Sequence, residues 1–390
     1  LYNMKKFRIF LIVVAMIFLS FSFFDCVGAK AEDSNSLENA LEESLKELDL
    51  SELENYLNEF GFENTENIKD RLIRYVQGEE VDYTGIFSQI IEIFFKEVVE
   101  LFPAFSCITA IALLCGILSS LQVGVMDKTV TKTVYVIAFI SSLIPVIGII
   151  NECYLSAKES LNTMQRQMEI VFPILLTLLA VSGGVTSVAI CKPSLAFLST
   201  TMIRIISDIV FPITIIMLAF SMLNRISDDF RFGKFTALLK SVNKWLIGIG
   251  LSVFGLFFTV QGLTASTYDG IVKRAAKYAI GNGIPIVGGF LSGGFDLAIA
   301  GSVLIKNSLG YLGIILMISC IFKPLILLLS TTILLRFTSA MTSPFGESKI
   351  SDFLSETADC LNYFSAGILF TAFLYFLSII VIISATGAFL

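Results

Sequence analysis

From Leu101 onward the chain is built of apolar runs long enough to cross a lipid bilayer, and this constrains its fold more than any other feature. A crossing helix needs roughly twenty apolar residues, because the hydrocarbon core is about 30 Å thick. Five runs meet that length cleanly: Leu101–Val123, Thr133–Ile150, Ile170–Cys191, Leu246–Ala265 and Asn362–Thr386. Two more are interrupted. Ser194–Leu223 carries Arg204 and Asp208 near its middle, and Leu309–Leu335 carries Lys323 followed by Pro324. In lipid every backbone N–H and C=O must be satisfied internally, so such runs become helices. The expected fold is all-α and polytopic, with about seven transmembrane helices.

Composition agrees. The 390 residues are 55% hydrophobic and 15% charged, more apolar than a soluble domain of this size. There is no histidine, which removes histidine bases, the common catalytic triads and imidazole zinc sites. The seven cysteines include no C-x-x-C pair and read as small apolar residues rather than as metal ligands or a disulfide framework. No catalytic, cofactor or metal site is expected.

The amino-terminal region differs. Residues 1–31 read as a signal peptide: MKKFR is basic, IFLIVVAMIFLSFSFF is its apolar core, and Ala29-Lys30-Ala31 has the form of a cleavage site. An uncleaved anchor helix is the alternative. Residues 32–100 then hold 19 acidic and five basic side chains, whereas the chain from Leu101 holds 13 and 18. In the acidic segment Leu37, Leu41, Leu45 and Leu48 recur at helical spacing, as do Leu50, Leu53, Leu57 and Phe60. Ser51 and Glu54 have capping-box spacing. An extracytoplasmic set of short amphipathic helices follows, either a solvated cap on the membrane domain of residues 101–390 or a docking surface.

Seven spans after an exported segment place the carboxyl terminus in the cytoplasm, with Lys128 and Lys132 inside as the positive-inside rule expects. The same count puts Arg225, Arg231, Lys234, Lys240 and Lys244 outside, against that rule. Charges within spans are functional candidates. Arg204 and Asp208, four apart, form either a structural pair or an ion path. Lys323 can satisfy the carbonyl freed by Pro324, and Asp296 is a further intramembrane charge. Lys192, Lys306 and Arg336 lie near segment ends, from which they can reach headgroups.

The stretch GNGIPIVGGFLSGGFD, Gly281 to Asp296, lacks the lysine of a phosphate loop and the third glycine of a dinucleotide fingerprint. Gly289 and Gly293 instead form G-x-x-x-G, extended by Gly294, Ala298 and Ser302, a face on which helix backbones approach closely. Pro285 and the pairs Gly288-Gly289 and Gly293-Gly294 predict a broken or re-entrant helical segment. Gly183 and Gly184 interrupt Ile170–Cys191 in a related way. Together with Gln261 these residues are candidates for helix packing or for lining a conduit. Broken helices also occur in secondary transporters, the alternative reading.

Several strings resemble the stage III sporulation protein AE family of endospore-forming bacteria: SGGVTS (Ser182–Ser187), QGLTAS (Gln261–Ser266), DGIVKRAAKYAIGN (Asp269–Asn282) and IPIVGG (Ile284–Gly289). LDLSELENYLNEF (Leu48–Phe60) is similar too, and the order of regions agrees over nearly the whole chain. The resemblance implies a non-enzymatic subunit of a complex in the mother-cell membrane around the forespore, acting as a channel or secretion-like apparatus. It implies as partners the other stage III proteins, including an ATPase and ring-forming subunits, and indirectly the forespore stage II sporulation protein Q. It implies no cofactor and no nucleic acid, and carries over no catalytic residue.

Overall fold

A computed structural model describes residues 95–111, 113–114, 128–226, 232–256, 288–345 and 348–384. The predicted signal peptide, most of the acidic segment, Gln261 and Pro285 lie outside the described residues. Every described element is helical. Helix α1 covers 95–111, α2 is Lys128–Val181, and α4 is Gly233–Leu256. Helix α5 is Gly288–Thr342, a short 3-10 turn follows at Ser343–Phe345, and α6 is Ser348–Ser384. Between α2 and α4 stands α3, which starts as Val185–Phe197 and finishes as Phe211–Ile226. Its middle holds π turns at Leu198–Met202 and Ile206–Val210, separated by Ile203–Ile205. Pro212 follows the second of these, and a widened turn accommodates the ring and the missing N–H of a proline.

Five of these helices are long and apolar enough to cross a membrane: Phe139–Val181, Val185–Arg225, Gly233–Leu256, Ser302–Thr342 and Lys349–Ser384. Their boundaries differ from the predicted spans. Thr133–Ile150 and Ile170–Val181 are parts of one helix, α2, because the polar stretch between them is continuous helix. That stretch, Asn151 to Glu169, contains no glycine or proline and is rich in Glu, Leu, Met, Gln and Lys, all good helix formers. The expected span Ile170–Cys191 is cut instead at Ser182-Gly183-Gly184. Gly183 has φ 84°, the left-handed region that glycine enters without penalty. Its N–H donates to the Ala180 carbonyl at 3.0 Å and that of Gly184 to Leu179 at 2.8 Å, the bond pair of a Schellman stop.

That turn makes α2 and α3 an antiparallel hairpin, in which Tyr154 and Phe211 meet with ring centroids 6.4 Å apart. A second hairpin joins α5 to α6 through the Ser343–Phe345 turn. The Ser339 hydroxyl donates to the Ser351 carbonyl at 2.7 Å, and the Ser351 hydroxyl donates back to Ser339 at 2.8 Å. Helix α6 starts fourteen residues before the predicted Asn362, so a polar segment expected outside the span is part of its stem.

The hairpins lock through a shared core in which α6 is central. Phe139 meets Phe353, Phe172 meets Tyr375 and Phe211 meets Phe364, all edge-on, at 5.5, 5.5 and 4.9 Å. Such pairs contribute roughly 0.5–1.5 kcal/mol each beyond area burial. Gly367 lets α6 approach α3: a Cβ there would stand 2.7 Å from both Ile206 and Phe211. Helix α4 packs on the far side of α3 and α6, with its buried Asn243 donating to Thr214 Oγ1 at 3.0 Å and Tyr363 of α6 reaching the Lys240 carbonyl.

The antiparallel order settles where the basic residues lie. The Lys128 end of α2, the Ile226 end of α3, the Gly233 end of α4, and the junction of α5 with α6 share one end of the bundle. Ser182–Gly184 and Ser384 share the other. The conflict over Arg225–Lys244 came from counting α2 as two crossings.

The glycine pairs also differ from expectation. Gly288-Gly289 and Gly293-Gly294 lie in the opening turns of the continuous helix α5. Each glycine costs only about 1 kcal/mol relative to alanine in a helix, less than leaving backbone groups unsatisfied in an apolar setting.

Candidate functional site

Among the described residues, charge is concentrated on the amino-terminal third of α6. Asp352, Glu356 and Asp359 are spaced four and three apart and so share one helix face. Two arginines from neighbouring helices meet this ladder. Arg225, in the last turn of α3, donates from Nη1 to Asp352 Oδ2 at 3.1 Å and from Nη2 to Glu356 Oε1 at 3.0 Å. The Ser221 hydroxyl, one turn earlier, donates to the other Glu356 oxygen, so that carboxylate has two partners from α3. Arg336 of α5 donates to Asp359 Oδ1 at 2.7 Å.

This network ties the last turns of α3 and α5 to α6. The Arg225 side chain is 20% exposed and Glu356 35%, whereas Arg336 and Asp359 are about two-fifths exposed. In water such partly exposed pairs contribute about 0–1 kcal/mol each. Arg336, expected to reach towards the headgroups, has its guanidinium on Asp359. The signal for this site was the i, i+4, i+7 spacing of the acids. It was missed because the segment before Asn362 was read as lying outside the helix.

Polar contacts along the helix seams form a second layer. The Ser160 hydroxyl of α2 donates to the Cys320 carbonyl of α5 at 3.3 Å, and Gln167 Nε2 donates to the Leu316 carbonyl at 3.1 Å. Cys320 is one turn before Pro324, which has no N–H to offer that carbonyl. Ser160, and not Lys323 as expected, serves the freed acceptor.

Lys306 is also placed differently from expectation. It is fully buried, and its Nζ donates to the Ile383 carbonyl at 2.9 Å. Ile383 is in the last turn of α6, where carbonyls lack helical partners and a cation is favourable. Lys306 thus caps α6 from inside the bundle; Lys192 is exposed.

The other sequence-selected residues are scattered. Arg204 and Asp208 are both exposed on α3, and among the described residues no ion pair joins them. The π turn at Ile206–Val210 alters the rotation per residue, so a spacing of four no longer stacks the two. Lys323 is exposed on α5 and lies near Glu97 of α1 and Glu152 of α2. Burial, followed by repulsion from Glu100, raises the Glu97 carboxyl above the ordinary carboxylate range; Lys323 opposes this, Glu152 adds to it and Lys96 opposes it. Gly183 and Gly184 form the α2–α3 turn. Gly288, Gly289, Gly293, Gly294 and Asp296 lie on α5 far along the chain from the acidic ladder, with their backbone in helix.

Among the described residues no group of three or more Cys, Asp and Glu side chains could hold a metal ion. The five described cysteines are free thiols, and Cys153, Cys191 and Cys360 are buried. The arrangement is suited to joining helices and to holding charge within them.

Two comparisons with known proteins place the chain. The family model described as stage III sporulation protein AE matches residues 67–386. The protein named stage III sporulation protein AE in Bacillus subtilis (strain 168) is 28% identical over 334 residues, which cover 84% of this chain and 83% of that protein. No solved structure matches.

Proposed function

The chain belongs to the stage III sporulation protein AE family, and from that premise we propose that it is a membrane-embedded, channel-associated platform subunit of the stage III assembly linking mother cell and forespore. The role in sporulation comes with the family. The multi-pass character comes from the five apolar helices. Placement in the mother-cell membrane around the forespore, and the platform role itself, are the inferred steps. The observation that carries them is the match across residues 67–386, which takes in the whole described bundle and not one motif.

On this reading the chain acts by assembly rather than by catalysis. Its partners are other stage III proteins, including the ATPase and ring-forming subunits, with the forespore stage II protein Q reached indirectly. The charged ladder on α6 keeps the helices in one arrangement so that outer surfaces are presented consistently. The test is purification of the tagged full-length chain from sporulating cells after mild cross-linking. Recovery of other stage III proteins, together with arrested forespore development when the chain is deleted, is the expected result. Normal spores from the deletion strain, or recovery of the chain alone, would overturn the reading. Solute flux through the purified chain in liposomes would instead favour the transporter alternative.

A further inference from the structure

The long helices of the bundle are about twice as long as a bilayer is thick. Val185–Arg225 and Ser302–Thr342 each have 41 residues, roughly 60 Å at 1.5 Å per residue against about 30 Å of hydrocarbon. At the usual tilt of about 20° only part of the bundle can lie in a membrane, and the exposed side chains show which part. Contacts between helices set the heights. Tyr154 of α2 meets Phe211 of α3, a Cβ at Gly250 of α4 would touch Met202 of α3, and Ser160 of α2 donates to the Cys320 carbonyl of α5. Glu159 of α2, Asp208 of α3, Lys244 and Trp245 of α4 and Lys323 of α5 consequently stand within about one turn of a single level. All are exposed, so they form a belt on the four helices packed around α6.

The two sides of this belt differ. Towards the Ile226 end of α3 and the Thr342 end of α5, all four helices expose large apolar side chains. Ile140, Ile144 and Ile147 do so on α2, and Leu329, Ile333 and Phe337 on α5. Ile216 and Leu223 on α3, with Phe235 and Leu238 on α4, complete a girdle. Its height suits a bilayer: Asp208 is eighteen residues from Ile226 and Lys323 nineteen from Thr342, roughly 27–28 Å. Charges within the girdle are of two kinds. Some are ion-paired, as Arg225 is with Asp352 and Glu356 and Arg336 with Asp359. The others, Glu100, Glu152, Lys234, Lys240 and Lys349, lie within about two turns of one edge or the other.

On the other side of the belt α2 exposes Asn162 and Glu169, and no large apolar side chain from Ser160 to Ala180. Among the described residues of α5 and α6 at these heights none is exposed either; Leu309, Met317 and Ile379 there are buried in the core. Exposed apolar side chains persist mainly on α4, at Ile249, Val253 and Leu256. Arg204 of α3 and Asn162 and Glu169 of α2 face outward at those same heights. Hydrocarbon cannot close around a bundle at a level where charges point away from it on other sides. We propose that the bilayer surrounds only the half of the bundle between the belt and the Ile226 and Thr342 ends, with acyl chains against the girdle. The half that runs out to Val181 on α2 and Ser384 on α6 stands in water beyond the membrane. Trp245, the single tryptophan of the chain, then sits at the headgroup level, where indoles are favoured. The inference rests on the bundle being embedded in a membrane and not on which sporulation proteins it meets.

The full-length chain in lipid nanodiscs tests this through its native tryptophan. Lipids brominated at successive acyl carbons should quench Trp245 best from the carbons nearest the headgroup. That places the indole about 15 Å from the bilayer centre, half the thickness of the core. Strongest quenching by the deepest bromines would overturn the inference, because Trp245 is near mid-length of the bundle and a bilayer centred there puts it in the middle. Absence of quenching at every depth would remove the membrane premise itself. Single cysteines give an independent reading in the chain with its seven native cysteines replaced. Ile147→Cys and Glu169→Cys occupy exposed positions eleven residues to either side of Lys158 on α2. A charged, impermeant thiol reagent should modify Glu169→Cys about ten-fold faster or more than Ile147→Cys, given the cost of bringing charge into hydrocarbon. Equal or reversed rates would sink the proposal.

Discussion

Arg225 serves two carboxylates, so its removal should cost more than any single acid does. Arg225→Ala strips Asp352 and Glu356 of the guanidinium that they share on the α6 stem. A loss of about 1–3 kcal/mol is expected, the usual penalty for a half-buried charge stripped of its partner and discounted for partial exposure. It is checked by thermal unfolding of the detergent-solubilised protein. The double exchange Arg225→Glu with Glu356→Arg should recover part of it, which a mere packing role for the arginine stem does not predict. Glu97 makes a pH-dependent case. Its carboxyl is raised, so its contribution is fully present below the ordinary carboxylate value and is lost as pH rises through the raised one. The docking of α1 on α2 and α5 should therefore tighten on acidification through that window, and Glu97→Gln should flatten the response. Alkylation of the exposed Cys107 on α1 across pH, corrected for thiolate fraction, follows it. Residue-scale chemistry was only partly legible in the sequence. Arg204, Asp208 and Lys323 were noticed because they interrupt apolar runs, yet all three are exposed. Asp352, Glu356 and Asp359 sit in a polar context, where nothing in hydropathy singles out a charge; only their spacing could.

At the scale of elements, the helical class and the approximate position of most spans could be read from apolar run length, whereas the joins could not. Hydropathy treats a polar stretch as a loop, but Asn151 to Glu169 has high helix propensity and keeps α2 continuous. The same reading took Ser182-Gly183-Gly184 for a flaw within a span, when its left-handed glycine is what reverses the chain. Two glycines illustrate different constraints. Gly183→Ala places a Cβ in a left-handed turn and should cost roughly 1 kcal/mol of conformational strain. Gly367→Ala instead pushes a methyl group to within 2.7 Å of the side chains of Ile206 and Phe211, both buried in the core. Overpacking of that kind costs typically 1–3 kcal/mol and should exceed the loss at Gly183. Gly367→Leu should prevent α6 from seating against α3, seen as loss of the folded, monodisperse protein on size exclusion. The sequence pointed to Gly289 and Gly293 for close packing because G-x-x-x-G is a pair pattern. Gly367 works alone, opposite side chains that are far away in sequence, and leaves no local motif.

For the whole molecule, antiparallel helices convert a charge count into an orientation. Lys128, Arg225, Lys234 and Lys349 all lie towards the bundle end that holds the α3–α4 and α5–α6 turns. At the other end, around Ser182–Gly184 and Ser384, Lys192 and the buried Lys306 are the described cations, and Lys306 is committed to the Ile383 carbonyl. The excess of lysine and arginine in short loops marks the cytoplasmic side, so the α3–α4 turn should face the cytoplasm. The end of α6 then faces the other compartment, opposite to where an odd count of seven spans places it. Reporter fusions separate the two. Alkaline phosphatase fused after Leu390 should be active and a fluorescent protein fused there should be dark, whereas the same reporters inserted at Gly233 should behave the other way round. Both sites reporting the same side would mean that one of the two hairpins does not span. Reversal of both signals would mean that the acidic amino-terminal segment, and not the basic turns, governs how this bundle inserts.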